Sequence, residues 1–265
     1  MKSFRNKTVL VTGASSGIGE CFARLLAAKQ ANLILTARSK DKLNDLANEL
    51  NKRFKIQAHV FPGDLSSPNT PQTLFEQVSS HGLEVDVVIN NAGFGKWGHF
   101  ESINYATYEE MCNLNMQAVV ALTYLFLPNM LVKKTGGFIN VASTAAFQPV
   151  PYFATYSATK AFVLSFSEAL WGEYRERGLT VTCLCPGGTE SNFHEVSEMD
   201  PDKIIGLESA EKVAELGLSA FLKGKLTVIS GVKNYLLANS IRLANRKTVT
   251  KISAAMFRPK KSIKI

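Results

Sequence analysis

The feature that most constrains the fold of this chain is an alternation of short β-branched runs with longer helical patterns over most of its 265 residues. Most of the short runs are continuously apolar, which is typical of strands covered on both faces. The alternation predicts a single-domain, Rossmann-type, doubly wound parallel sheet of about seven strands with helices on both faces. The predicted strands are Thr8–Thr12, Asn32–Thr36, Ala58–Phe61, Val85–Asn90, Gly137–Ala142, Thr180–Cys185 and Thr227–Ser230.

Helical patterns fill the intervals between these strands, and no linker composition interrupts them. One α/β domain often reaches about 250 residues. We therefore expect a catalytic domain over residues 1–239 and a separate tail over residues 240–265. The predicted helices are Gly17–Lys29, Lys40–Asn51, Thr70–His81, Thr107–Lys133, Thr155–Arg177 and Ala210–Lys223.

The formal net charge of +8 is confined to the tail, because the other 239 residues carry 22 basic and 22 acidic side chains. A basic tail on a neutral domain argues against a nucleic-acid-binding fold. Apolar residues lie among the bases from Val232 to Phe257. This segment could form an amphipathic helix on an anionic membrane, a dimer contact or a solvated tail.

The remaining composition predicts a reduced, metal-free, cytoplasmic protein. No signal sequence precedes the first strand. None of the four histidines has a zinc-motif spacing, and none of the four cysteines forms a Cys-x-x-Cys pair. The longest apolar stretch, Val119–Val132, is too short to span a bilayer.

A glycine-rich segment, Thr12–Gly19, follows the first strand and opens the first helix. Glycines let the backbone approach a pyrophosphate closely, and a helix N-terminus offers free N–H groups to the anion. A turn without any ligand is the alternative. The predicted phosphate contacts are Gly13, Ser15, Ser16, Gly17, Ile18 and Gly19.

The end of the second predicted strand bears on the choice of dinucleotide. An acid there would bind the ribose hydroxyls of NAD, but the residues are Thr36, Ala37, Arg38 and Ser39. A guanidinium matches a 2′-phosphate well. Arg38 therefore predicts NADP(H), unless it is an ordinary solvated arginine.

Tyr156 and Lys160 are four residues apart, on one face of a predicted helix. A neighbouring ammonium favours the phenolate and is expected to lower the tyrosine pKa. Such pairs are common on helix surfaces by chance. Ser143 favours a catalytic role for the Tyr156–Lys160 pair, because this serine follows a strand at the sheet edge where ligands bind.

Six motifs together resemble the short-chain dehydrogenase/reductase family, from about Lys7 to Gly231. They are the glycine loop, Asn90-Asn91-Ala92-Gly93, Asn115, Ser143, Tyr156-x-x-x-Lys160 and Pro186-Gly187. The outline also resembles bacterial short-chain reductases of the DltE type.

The resemblance implies a catalytic set of four residues. Tyr156 would be the general acid/base, and Ser143 would hydrogen-bond the substrate oxygen. Lys160 would bind the nicotinamide ribose and lower the tyrosine pKa, and Asn115 would hold a relay water. Further cofactor contacts implied by the family are Asp64, Leu65, Asn91, Ala92, Gly93, Pro186, Gly187 and Thr189. The family also implies a homodimer or homotetramer.

Apolar and aromatic residues near the predicted site suggest a small hydrophobic carbonyl or alcohol substrate, such as an acyl chain, a steroid-like or retinoid-like ring or a xenobiotic ketone. The alternative is that several of them are simply core. They are Phe94, Trp97, Phe147, Pro149, Val150, Pro151, Tyr152 and Phe153, with Glu190–Leu207 as the expected lid. The functional prediction is an NADP(H)-dependent oxidoreductase; the alternative is a non-enzymatic NADP(H)-binding sensor or scaffold.

Overall fold

A computed structural model describes residues 1–191, 193–200 and 206–259 of the chain. Seven parallel strands form one sheet in the order β3-β2-β1-β4-β5-β6-β9. These strands are β1 (Thr8–Thr12), β2 (Asn32–Thr36), β3 (Ala58–Val60), β4 (Val87–Asn90), β5 (Gly137–Val141), β6 (Thr180–Cys185) and β9 (Thr227–Ile229). The predicted doubly wound parallel sheet is confirmed, with strand ends shifted by at most two residues.

Helices cover both faces of the sheet. They are α1 (Gly17–Ala28), α2 (Lys40–Phe54), α3 (Thr70–Ser80), α4 (Tyr105–Cys112), α5 (Ala118–Lys133), α6 (Ala154–Tyr174) and α8 (Ala210–Leu222). One apolar cluster joins α1, α2 and α8 to one face, and a second joins α3, α5 and α6 to the other. Strand order reverses between β1 and β4, which is where ligands bind in such sheets.

The predicted helix Thr107–Lys133 differs from the structure in two ways. It begins earlier, at Tyr105, and a π-helical turn, Asn113–Gln117, separates α4 from α5. The stretch Tyr105–Lys133 is 29 residues long and apolar enough to cross a membrane by length and composition, contrary to the expectation from Val119–Val132. Here α5 packs on the sheet through Leu122, Phe126 and Met130, as core helices do.

The segments beyond the common strand-helix pattern gather near one end of the sheet. A two-residue strand, β7 (Thr189–Glu190), pairs with β8 (Glu208–Ser209) at the two ends of the expected lid, Glu190–Leu207. The lid itself includes a short helix, α7 (Phe193–Ser197), and its residues 192 and 201–205 lie outside the described residues. After the last strand the chain forms α9 (Val232–Ser240), a 3-10 turn (Ile241–Leu243) and α10 (Arg246–Phe257). These additions build one wall of the cleft described next.

Candidate active site

A large cavity runs along the carboxyl ends of the central strands, with a volume of about 690 Å³. Seventeen of the nineteen predicted catalytic and cofactor positions form its wall. Gly19 and Asn115 are the two that lie behind it. The strands bring the others together because each predicted residue follows the end of a strand or opens the next helix.

The glycine loop fits a bound pyrophosphate. Gly13 and Gly17 have φ values of +65° and +56°, which side chains rarely adopt. A Cβ on Gly19 would meet the Gly13 carbonyl oxygen at 2.1 Å, so this glycine lets α1 pack beneath the loop. The Ser16 side chain makes no cap hydrogen bond to α1, which leaves the first N–H groups of the helix for an anion.

Thr12 and Asn91 hold the loop in place. The Thr12 hydroxyl accepts from the N–H groups of Asn91 at 3.0 Å and Ala92 at 2.9 Å. The Asn91 amide in turn donates to the Thr12 carbonyl at 2.9 Å. These bonds join the ends of β1 and β4 and fix the floor of the predicted dinucleotide groove.

Basic and hydroxyl side chains surround the groove at the end of β2. Arg38 is mostly exposed and forms an ion pair with Glu110 at 3.3 Å. Ser39 and Lys42 line the same end of the cavity and were not predicted from the sequence. The sequence could have indicated both residues, since they lie at the start of α2, directly after the position that discriminates NAD from NADP. The three residues can bind a phosphate that replaces Glu110.

Tyr156 and Lys160 are both buried in the cleft, where α6 presents them on one face. Burial raises the pKa of Tyr156 to about 12, and the Ser143 side chain partly opposes that rise. The shift of the tyrosine pKa is therefore opposite in direction to the one expected from Lys160 alone. The reason is geometric: the Lys160 ammonium lies 5.8 Å from the centre of the phenol ring and donates to the Val141 carbonyl at 2.9 Å.

Burial also lowers the pKa of Lys160 to about 8, because it disfavours the ammonium. Ser143 follows β5 and accepts a hydrogen bond from Ala145 N at 3.1 Å, which fixes its rotamer. Gly93 keeps one side of the lysine uncovered, because a Cβ there would lie 3.2 Å from the Lys160 ammonium and 2.9 Å from the Asn115 side-chain oxygen.

Asn115 lies in the π-helical turn and is almost completely buried. Its amide donates to the Phe94 carbonyl at 2.9 Å and to the Thr159 hydroxyl at 3.0 Å, and its oxygen accepts from Phe94 N at 3.1 Å. A π turn moves one side chain out of helical register and is frequent at functional sites. Asn115 thus ties the strand-end loop to α6, and its predicted role in a water relay remains a prediction.

The substrate side of the cavity is apolar, but its residues differ from the predicted set. Only Phe94, Val150 and Phe153 of the eight expected residues line it. The prediction that the other five line the cavity is wrong. For example, Trp97 packs behind the cavity wall, and Phe147 packs in a separate core cluster. Most of the wall comes from elements whose sequence carries no family motif, at Phe193, Val196, Met199, Leu237, Ile241, Val249, Ile252, Met256 and Phe257.

Helix α10 is attached to the domain beside the cleft. The Trp97 indole donates to the Phe257 carbonyl at 2.9 Å, and Arg258 donates to the Tyr152 hydroxyl at 3.3 Å. Phe257 also joins the aromatic cluster of Phe153 and Tyr156. The predicted tail is thus a cavity wall over its described part, an arrangement that none of the three sequence-based alternatives included.

Comparison with known proteins gives consistent matches. Residues 7–201 match the short chain dehydrogenase family. The ketoacyl reductase HetN of Nostoc sp. is 31% identical over 230 residues, which cover 86% of this chain and 79% of that protein. The very-long-chain 3-oxoacyl-CoA reductase of Homo sapiens is 28% identical over 261 residues, covering 90% and 80%. A solved short-chain dehydrogenase from Sphingobium yanoikuyae in complex with NADPH has a TM-score of 0.81 and 27% identity, covering 89% and 94%.

Proposed function

The chain belongs to the short-chain dehydrogenase family, and from this membership we propose that it is an NADP(H)-dependent oxidoreductase acting on a carbonyl or secondary alcohol of an apolar substrate. The observation that carries the proposal is one cavity that joins a phosphate-binding loop, a buried tyrosine and lysine, and an apolar wall. A sensor or scaffold would need the loop but not Ser143 and Tyr156 in the same cleft.

The side chains of the cleft support a proton-donating role for Tyr156. Its pKa of about 12 keeps the phenol protonated at neutral pH, ready to donate to a substrate oxygen. Ser143 Oγ already accepts from Ala145 N, so its own O–H remains to donate to the same oxygen. When bound, NADPH supplies the hydride.

Lys160 supports the same proton transfer from Tyr156. Its pKa of about 8 leaves most molecules protonated at neutral pH. As Tyr156 gives up its proton, negative charge develops on the phenol, and a nearby ammonium stabilises that charge in a partly dry cleft. Lys160 therefore acts on the proton transfer through Tyr156 and, on the side that Gly93 leaves uncovered, on the ribose.

The proposed preference for NADP(H) depends on Arg38, Ser39 and Lys42. A 2′-phosphate at this end of the groove would take the place of Glu110 as the partner of Arg38. The solved relative from Sphingobium yanoikuyae contains NADPH, which supports the assignment. No acid occupies the position after β2 that an NAD ribose would need.

An acyl chain is the apolar substrate that we favour. The substrate side of the cavity is formed mainly by aliphatic and aromatic side chains, and its polar residues include Gln148, Asn234, Ser240 and Ser253. The two relatives described above are a ketoacyl reductase and a very-long-chain 3-oxoacyl-CoA reductase by name. A 3-oxoacyl thioester would place its ketone at Tyr156 and its chain against α9 and α10.

The direct test is NADPH oxidation with 3-oxoacyl thioesters of increasing length and with bulky ketones. We expect Tyr156→Phe to reduce kcat by roughly 10²–10⁴-fold, the usual contribution of a general acid, while NADPH affinity is retained. Tyr124→Phe, an exposed tyrosine on α5, is the matched control. A chain that binds NADPH but reduces no substrate would instead support the sensor or scaffold alternative.

A further inference from the structure

The segment after the last strand carries an apolar stripe that the rest of the described chain leaves exposed. Val232, Leu236 and Leu243 are 77%, 62% and 92% exposed. Their spacing of four and seven residues places them on one side of α9 and the 3-10 turn that continues it. We call this surface, with the adjoining start of α10, the α9–α10 corner.

The other side of α9 faces the cavity. Leu237, Ala238 and Ile241 line the cavity wall. The helix therefore has apolar residues on two of its sides, although the fold covers only one of them. An exposed apolar stripe of this kind indicates a partner outside the fold.

Basic side chains follow the stripe along the chain, in the first turns of α10. Arg246, Lys247 and Lys251 are all exposed, and none forms an ion pair with a residue that the structure describes. From residue 232 to the end, the sequence contains nine lysines and arginines and no acid. The partner must therefore be anionic as well as apolar. A second copy of this corner would bring two acid-free basic segments together and is disfavoured.

We propose that the α9–α10 corner docks on a lipid bilayer that contains anionic lipid. Leu243 and Leu236 enter the boundary between headgroups and acyl chains, while Lys247, Lys251 and Arg246 contact the anionic headgroups. An almost fully exposed leucine on a short turn needs a matching pocket in a protein partner, but it needs none in a bilayer. The bilayer is therefore the occupant that fits both features of the surface.

The docking surface adjoins the mouth of the cavity. Val196, Leu237, Ile252 and Met256 line the cavity and are also 47%, 54%, 57% and 41% exposed, so they form its rim. A docked molecule would present this rim to the bilayer, and an apolar substrate could enter without crossing water. This consequence rests on the proposed function, whereas the docking itself does not.

Vesicle flotation of the full chain tests the docking, using phosphatidylcholine alone and phosphatidylcholine mixed with phosphatidylglycerol. We expect binding to the mixed vesicles only, weakened by salt. The double variants L236S/L243S and K247E/K251E should each lower the bound fraction at least tenfold. The control K29E/K52E makes the same charge change at the opposite edge of the sheet and should bind like the wild type. None of these residues lines the cavity, so NADPH binding serves as the folding check for every variant.

Three results would overturn the proposal. One is the absence of binding to the anionic vesicles. Another is equal loss of binding in the control and corner variants, which would indicate a nonspecific charge effect. The third is an oligomeric mass that differs between the corner variants and the wild type, together with no vesicle binding by the wild type. That result would make the surface an interface between copies of the chain.

Discussion

Lys160 is a buried cation whose contribution to stability depends on pH. Its pKa falls from 10.5 to about 8 because burial disfavours the ammonium. Between these values the unfolded chain holds a proton that the folded chain has released, so the free energy of unfolding rises with pH through that window. A shift of this size corresponds to about 3 kcal/mol.

Lys160→Met removes this pH dependence. We expect the wild type to gain up to about 3 kcal/mol of stability relative to Lys160→Met between about pH 8 and pH 10.5, measured by denaturant unfolding. The sign is fixed, because a lowered lysine pKa destabilises the fold at low pH and not at high pH. A difference that stays constant across this range would show that the folded lysine titrates normally.

In this account Arg38 determines the cofactor preference, and Glu110 competes with the 2′-phosphate for the Arg38 guanidinium. Arg38→Gln should weaken NADPH binding by roughly tenfold to hundredfold, the value of hydrogen bonds to a charged group, and leave NADH binding nearly unchanged. Glu110→Gln should tighten NADPH binding by up to about fivefold, since exposed ion pairs contribute about 0–1 kcal/mol. Fluorescence titration with both nucleotides measures these changes. Equal losses for NADPH and NADH in Arg38→Gln would contradict the assignment.

At the level of elements, α10 depends on a few contacts with the domain. Trp97→Phe removes the hydrogen bond to the Phe257 carbonyl, worth about 1 kcal/mol, and keeps most of the aromatic packing. We expect amide hydrogen exchange in residues 246–257 to accelerate roughly fivefold, because local opening becomes easier by that amount. Trp171→Phe is the control, since its indole packs on Arg175 away from the cleft.

The same variant should affect the apolar substrate more than the cofactor. A loosened wall raises KM for long substrates, and NADPH affinity depends on residues at the other end of the cavity. Unchanged exchange in α10 together with unchanged KM would show that the wall is held by other contacts.

The outcome for individual elements shows what sequence patterns can specify. The strands were predicted to within two residues, because a short, continuously apolar run between two helical patterns is typical of a strand that is covered on both faces. The π turn at Asn113–Gln117 was not predicted, since one extra residue hardly alters the hydrophobic period of a long helix. The position of α10 was missed for a different reason: an amphipathic helix reveals that it has an apolar partner but not which one.

At the level of the whole molecule, the cofactor groove was largely predictable and the substrate side was not. Groove residues such as Gly13 and Asn91 follow the ends of strands, so topology alone brings them together. The wall formed by α7, α9 and α10 depends on how connecting segments pack over the cleft. The tyrosine pKa was also beyond the sequence, because the 5.8 Å separation from Lys160 and the degree of burial are three-dimensional facts.

The central claim is that this cavity transfers a hydride from NADPH to a carbonyl carbon. NADPH carrying deuterium at the transferring position of C4 tests it directly, with mass spectrometry of the alcohol formed from a 3-oxoacyl thioester. The account predicts one deuterium on the carbinol carbon of the product, and almost none of this product from Tyr156→Phe. Consumption of the labelled NADPH without deuterium in the product would contradict the account.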